Sequence, residues 1–328
     1  MARFILRRML LMIPTLIAVS IVTFVIIQLP PGDFMTSIAA SLSSQGETVN
    51  QDALDALRRQ YGLGQPMWQQ YLIWMRNIIF HWDFGDSFEY NRPVADLIGN
   101  RMLVTIGISV GSLLVTWIIA FPLGIFSAVR KYSKADYVLT FFSFLGLAIP
   151  EFMLALVLLY VSSHYFGQSV GGLFSPQYVD AAWSVGKVTD LLSHLWIPVL
   201  IIGATHTAGL VRIMRANLLD ELNRPYVVTA RAKGLEERKL LMKYPVRLAL
   251  NPFVSTAGWT LPGIVSGEAV VAIVLSLPTI GPLLLQSLRS QDMYLAGSII
   301  LLTSVLTVIG TLLSDILLAW LDPRIRHL

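Results

Sequence analysis

The 328 residues contain no cysteine, so no disulfide, thiolate metal site or cysteine nucleophile is available to this chain. Charge is scarce too: Asp, Glu, Lys and Arg make up 13% of the residues and hydrophobic residues 55%, with a mean hydropathy of +0.66. An ordinary water-soluble domain carries about twice that charge, so the composition is that of a membrane protein. No G-x-x-x-x-G-K-[ST] phosphate loop occurs, and ATP is not expected to bind by that route. His81, His164, His194, His206 and His327 are scattered, with no metal-ligand spacing and no Ser/His/Asp arrangement. His206, inside an apolar run, reads as a packed or hydrogen-bonded helix residue. No catalysis is expected. The net charge of +4 does not point to nucleic acid, because the basic residues alternate with apolar spans instead of gathering on one arm or face.

What the chain does have is apolar runs of about twenty residues, long enough to cross a bilayer. They fall at 9–29, 103–129, 137–160, 195–212, 253–275 and 296–320, and predict six spans. The first follows a basic start but lacks an A-x-A site, and reads as an uncleaved span. Arg3, Arg7 and Arg8 precede it. Arg130, Lys131 and Lys134 lie between the second and third runs, and Arg324 and Arg326 end the chain. The positive-inside rule then puts both termini in the cytoplasm.

Residues 30–102 are too many for a passive connection. Leu54, Leu57 and Tyr61 are helically spaced, and Trp68, Tyr71, Leu72 and Met75 continue that spacing before Trp82, Phe84 and Phe88. This predicts a small external helical subdomain with aromatics at the membrane surface, serving either as a cap on its own helices or as a contact for a substrate-delivering protein. Within the spans, Gly107 and Gly111 form a G-x-x-x-G that permits close helix packing. Pro150 frees a backbone carbonyl in the third span, and Glu151 beside it must face a cavity or a partner helix. Glu268 sits in a fifth span interrupted by Gly258, Pro262, Gly263 and Gly267. Glu151 and Glu268 are the candidates for a permeation path; for Glu151 the alternative is a carboxylate hydrogen-bonded at the kink.

The most water-facing structured stretch is 212–251, RIMRANLLDELNRPYVVTARAKGLEERKLLMKYPVRLALN. It holds Arg212, Arg215, Arg224, Arg231, Lys233, Arg238, Lys239, Lys243 and Arg247, over a third of the 24 basic residues. Pro225 suits a first helical turn and Gly234 a left-handed helix end, which predicts a short helix at 226–233. Glu236 and Glu237 restart a helix that Pro245 stops. The product is a helix–Gly–helix elbow. On pattern alone a basic cytoplasmic loop, or an amphipathic helix lying on lipid, accounts for it as well as a functional elbow does.

The stretch YVVTARAKGLEERKLLMKYPVRLALNP resembles the cytoplasmic signature of ABC importer permeases of the dipeptide/oligopeptide branch. Ala230 and Gly234 match the small residues of the EAA–G signature, and Val228 stands where Glu would be. LRRQYGLGQPMWQQYLIWMRNIIFHWDFGDSF is similar to the family's external segment, with His81-Trp82-Asp83-Phe84-Gly85 departing at the first Gly of its turn. The fifth span departs as well: V-A-I-V-L-S-L-P-T-I-G places Ala272, Leu275 and Thr279 where the peptide branch has V-E-x-x-F-S-x-P-G-x-G. Glu268 lies one helical turn before Ala272 on the same face.

The resemblance covers essentially the whole chain. It implies an all-α membrane protein of six transmembrane helices, with a helical external subdomain between spans one and two and a coupling-helix elbow between spans four and five. The expected divisions are 1–29, the external segment 30–102, and a five-helix permease core 103–328 with its elbow at 223–251. The implied residues for coupling to an ATPase are Tyr226, Ala230, Arg231, Lys233, Gly234 and Leu235. The implied partners are a homologous permease, two ATPase subunits that hold the ATP and magnesium, and an external substrate-binding protein. The implied place is the bacterial cytoplasmic (inner) membrane. Peptides lead as substrate, then oligosaccharides and nickel complexes; a self-sufficient secondary transporter is the competing class.

Overall fold

The computed structural model describes residues 2–28, 65–87, 89–167, 171–179, 181–182, 184–290 and 292–321; the side chains of 2–4, 27, 28, 100, 166, 252 and 256–268 are outside the description. The predicted helix around 52–61 and the terminal Arg324 and Arg326 fall outside the described residues. In order, the elements are α1 (Ala2–Gln28), α2 (Met67–His81), the strand pair β1 (Asp86–Ser87) and β2 (Arg92–Pro93), α3 (Val94–Val129), α4 (Lys134–Ala148) and α5 (Glu151–Phe166). They continue with α6 (Val185–Leu222), α7 (Pro225–Ala232), α8 (Glu237–Lys243), α9 (Pro245–Val274), α10 (Ile280–Arg289) and α11 (Met293–Leu321).

The chain is an all-α membrane protein. Among the described residues four helices are long and apolar enough to cross a membrane: Ile5–Ile26, Val94–Val129, Val185–Leu222 and Met293–Leu321. The third expected span is not one straight helix. Lys134–Ala148 and Glu151–Tyr165 form a pair bent by 101°. Pro150 is the cause: its ring pushes the preceding residue out of the helical region, and Ile149 sits extended at φ −82°, ψ 122°. Helices also outrun the apolar runs that announced them, α3 starting at Val94 and α6 ending at Leu222, because hydropathy marks the membrane-crossing part and not the helix.

The chain divides into two compact units. One comprises Met12–Met102 and Leu283–Val305. Its core is aromatic: Phe24 of α1 meets Tyr71 edge-on at 5.6 Å and Trp74 at 5.7 Å, with Leu301 of α11 buried beside them. The Ser20 and Tyr71 hydroxyls hydrogen-bond at 2.7 Å. Trp82 ends α2 in a left-handed conformation (φ +53°), where the family turn would carry Gly. The short hairpin that follows was not expected from sequence. Buried Asp292 holds it, accepting from Ser87 Oγ at 2.5 Å and from the Glu89 N–H at 3.3 Å, while also accepting from the Leu295 N–H at 3.2 Å at the start of α11.

The other unit comprises Met1–Leu11, Leu103–Pro282 and Leu306–Leu328. Arg8 and Asp315 pair in it at 3.2 Å. One apolar core joins Ile108, Ala155, Ile197, Ile201, Ile202 and Leu275. A second gathers Ala120, Leu210, Val211, Met214, Leu218, Val246 and Phe253, and from it the elbow departs. Small residues permit the close crossings, and of the G-x-x-x-G only Gly111 meets a neighbouring helix, a Cβ there standing 3.5 Å from Val199 Cγ2 of α6. Gly107 has open space beside it, whereas a Cβ on Gly124 of α3 would stand 2.6 Å from Met214 Cβ of α6.

Candidate functional site

The elbow begins where α6 ends. The Arg224 N–H donates to Glu221 O at 3.1 Å, and Arg224 is extended (φ −72°, ψ 145°), as a residue before proline must be. Pro225 opens α7, where its missing N–H has no intrahelical partner to lose. Tyr226 ties α7 back to α6: its hydroxyl donates to the Glu221 carboxylate at 2.5 Å. Burial, then the Glu221 carboxylate, pushes the phenol well above its ordinary range, so it remains a donor at any physiological pH.

The end of α7 is a Schellman turn. The Leu235 N–H donates to Ala230 O at 3.3 Å and the Gly234 N–H to Arg231 O at 3.0 Å, with Gly234 left-handed at φ +77°. Five of the six expected coupling residues therefore form one structural unit: Ala230 and Arg231 supply the carbonyls, Lys233 is the cap, Gly234 makes the turn and Leu235 closes it. Across the turn Arg231 grips Glu237 of α8 through both carboxylate oxygens, Nη2 at 2.6 Å and Nε at 3.1 Å. Arg231 holds the Glu237 carboxyl below the usual carboxylate range, and Glu237 raises the guanidinium in turn.

Both limbs are anchored by apolar side chains. Val227 of α7 and Leu240 of α8 are fully buried, each worth about 1.5–3 kcal/mol of burial. Pro245 then opens α9, whose Val246, Ala249 and Phe253 enter the core shared with Leu210, Met214 and Leu218 of α6. The elbow is fixed at both ends to one packed cluster. Arg231, Lys233 and Gly234 are exposed, as is the apolar Val228 (55%), while Met242 lines a cavity with Phe121, Val246 and Trp320 of the spanning helices. Basic and apolar side chains exposed together on one short helix and its turn suit recognition of a protein surface.

The path candidates lie elsewhere. Glu151 is half-buried in the first turn of α5, just past the 101° bend, with Thr205 and His206 of α6 near its carboxyl. His206 bonds Ile202 O through Nδ1 at 2.9 Å, the hydrogen-bonded helix residue expected of it. The Glu268 side chain is outside the described residues. Sequence reasoning missed a second Schellman turn at the end of α9. There the Leu277 N–H donates to Ala272 O at 2.8 Å and the Ser276 N–H to Ile273 O at 3.2 Å, with Ser276 left-handed at φ +53°. A serine in the place of glycine gave no local signal. The turn delivers the Ile280 N–H to Thr105 Oγ1 at 3.0 Å.

Residues 120–327 match the family described as binding-protein-dependent transport system inner membrane component, and residues 1–109 match the N-terminal component of such systems. The chain belongs to this family. It is a permease subunit of an ABC importer. The oligopeptide transport system permease protein AppB of Bacillus subtilis is 36% identical over 328 residues, covering 100% of both chains. The oligopeptide permease OppB of Haemophilus influenzae is 30% identical over 328 residues, again covering 100% of both. The dipeptide permease DppB of Escherichia coli is 29% identical over 343 residues, covering 100% of this permease and 99% of DppB. The elbow of this permease lies within the 120–327 stretch that matches the family.

Proposed function

We propose that this permease carries peptides inward, delivered by an external binding protein, along a path it forms with a homologous second permease. Two ATPase subunits drive the movement, one seated on the 225–245 elbow of each permease. The chain crosses the inner membrane six times, the bent α4–α5 pair forming the third span and α9 the fifth, with both termini in the cytoplasm. Residues 1–29 are the first span with its cytoplasmic start, 30–102 the external segment, and 103–328 the permease core with the elbow at 223–251. Tyr226, Ala230, Arg231, Lys233, Gly234 and Leu235 couple to the ATPase; Glu151 and Glu268 line the path. ATP binding shifts the population of the two arrangements because the ATPases bind them unequally.

The observation that carries this reading is the elbow itself: a rigid, doubly anchored pair of short helices with an exposed basic and apolar face. Peptide as cargo rests on the names of the relatives. The test is to tag the C-terminus, extract the protein gently from its native membrane and identify what co-purifies. An ATPase and a second permease in stoichiometric amounts are expected, and the ligand of the accompanying binding protein names the cargo. Recovery of this chain alone, still moving solute, would replace the importer by a secondary transporter.

A further inference from the structure

Asp136, the third residue of α4, has a nearly fully buried side chain (3% exposed) whose two oxygens are both doubly engaged. Arg215 of α6 grips it fork to fork, Nε to Oδ1 and Nη2 to Oδ2, each at 2.8 Å. Ser127 of α3 donates to Oδ1, and the Tyr132 N–H donates to Oδ2 at 2.9 Å. Tyr132 stands in the left-handed region at φ +63°, a conformation that costs a non-glycine residue about 1–2 kcal/mol and that this hydrogen bond helps hold. One carboxylate thus ties together the end of α3, the turn that follows, the start of α4 and the stem of α6.

Arg215 lies seven residues, about 10 Å, before α6 ends at Leu222 and the elbow begins. Farther from the elbow, α4 stays against α6: Arg212 lies over the Phe144 ring at 5.1 Å, and a Cβ on Gly146 would stand 3.3 Å from Ala208 Cβ. Beyond the bend, Glu151 meets Thr205 and His206 of the same helix. The contacts between the broken span and α6 therefore run from the Asp136–Arg215 fork past Glu151 to Ala155, which shares a core with Ile197 and Ile201.

We infer that the Asp136–Arg215 fork is the pin that makes α4 and the end of α3 move with α6 and the elbow, so that these two positioning residues, outside the family's coupling signature, set how tightly ATP hydrolysis is tied to the binding protein. The inference rests on the importer reading above. A buried ion pair contributes little net stability over apolar side chains of similar volume, yet fixes one geometry, which is what a pin requires.

The test uses the assembled complex in liposomes and reads the stimulation of ATP hydrolysis by its own binding protein, purified with native ligand. In the double variant Asp136→Leu with Arg215→Met, assembly and basal hydrolysis should hold while the stimulation factor falls about 2- to 30-fold. Arg215→Lys keeps the charge but loses the fork, and should fall likewise should the double variant fail to assemble; Asp136→Glu should recover part of the loss. Wild-type stimulation in the double variant, or in Arg215→Lys, overturns the pin. A wild-type complex without any stimulation overturns the importer reading, and the pin with it.

Discussion

Gly234→Ala isolates the backbone requirement of the elbow. The left-handed φ of +77° costs an L-residue with a Cβ about 1–2 kcal/mol relative to glycine. Among the described residues no atom beyond its chain neighbours lies within 4 Å of that Cβ, so crowding adds nothing to the penalty. If the Schellman turn must be formed for the elbow to seat, 1–2 kcal/mol becomes about a 5- to 30-fold loss in the population competent to couple. Asparagine tolerates the left-handed region better than alanine, and proline cannot enter it, so stimulated ATP hydrolysis should rank Gly > Asn > Ala > Pro. The assay is binding-protein-stimulated ATP hydrolysis by the assembled complex, with membrane insertion as the control expected to stay constant. Wild-type stimulation in Gly234→Ala would refute the argument. Equal losses in Asn and Ala would move the cause from backbone conformation to contact with the partner surface.

Three further outcomes follow from the same geometry. Gly124→Ala places a methyl 2.6 Å from Met214 Cβ and 3.2 Å from Val211 O, and should destabilise by about 1–3 kcal/mol, read as a lower melting temperature in detergent that Met214→Ala, which keeps the clashing Cβ, does not restore. Asp292→Ala leaves the Ser87 hydroxyl and the Glu89 and Leu295 N–H groups without their acceptor, at about 1–3 kcal/mol, and should expose the 86–93 hairpin to limited proteolysis. The Arg231–Glu237 clasp depresses the Glu237 pKa, so its contribution is present above the ordinary glutamate value and disappears as pH falls through the depressed one. Because both side chains are half-exposed, Glu237→Gln should change stimulated hydrolysis at neutral pH by less than about fivefold.

The elbow was legible because its signals are local. Pro225, Gly234, Glu237 and Pro245 each act on their own turn, and the observed helices begin and end within a residue or two of the expected places. The all-helical membrane class follows as directly from composition. Pro150 announced a disturbance, but its size did not follow from one proline, since a 101° bend also needs α6 to receive both arms. The Asp136–Arg215 fork joins residues 79 apart in sequence, and nothing in the sequence distinguishes Arg215 from the other basic residues around it. The G-x-x-x-G carried little information because spacing on one helix says nothing of what stands opposite: a Cβ on Gly111 would only touch Val199, whereas Gly124, with no partner glycine at that spacing, makes a tight crossing. Ser276 hid a turn that a glycine would have advertised.

The absence of cysteine gives a clean handle on the central claim that the elbow seats on an ATPase. Val228→Cys places a single thiol on the exposed outer face, and Val138→Cys places one on the equally exposed apolar surface of α4 as control. Each is labelled with a maleimide photocrosslinker in native membranes and irradiated. The account predicts an adduct with the mass of this chain plus one ATPase subunit from Val228→Cys and none from Val138→Cys. Adducts of Val228→Cys confined to lipid or to another permease would contradict it.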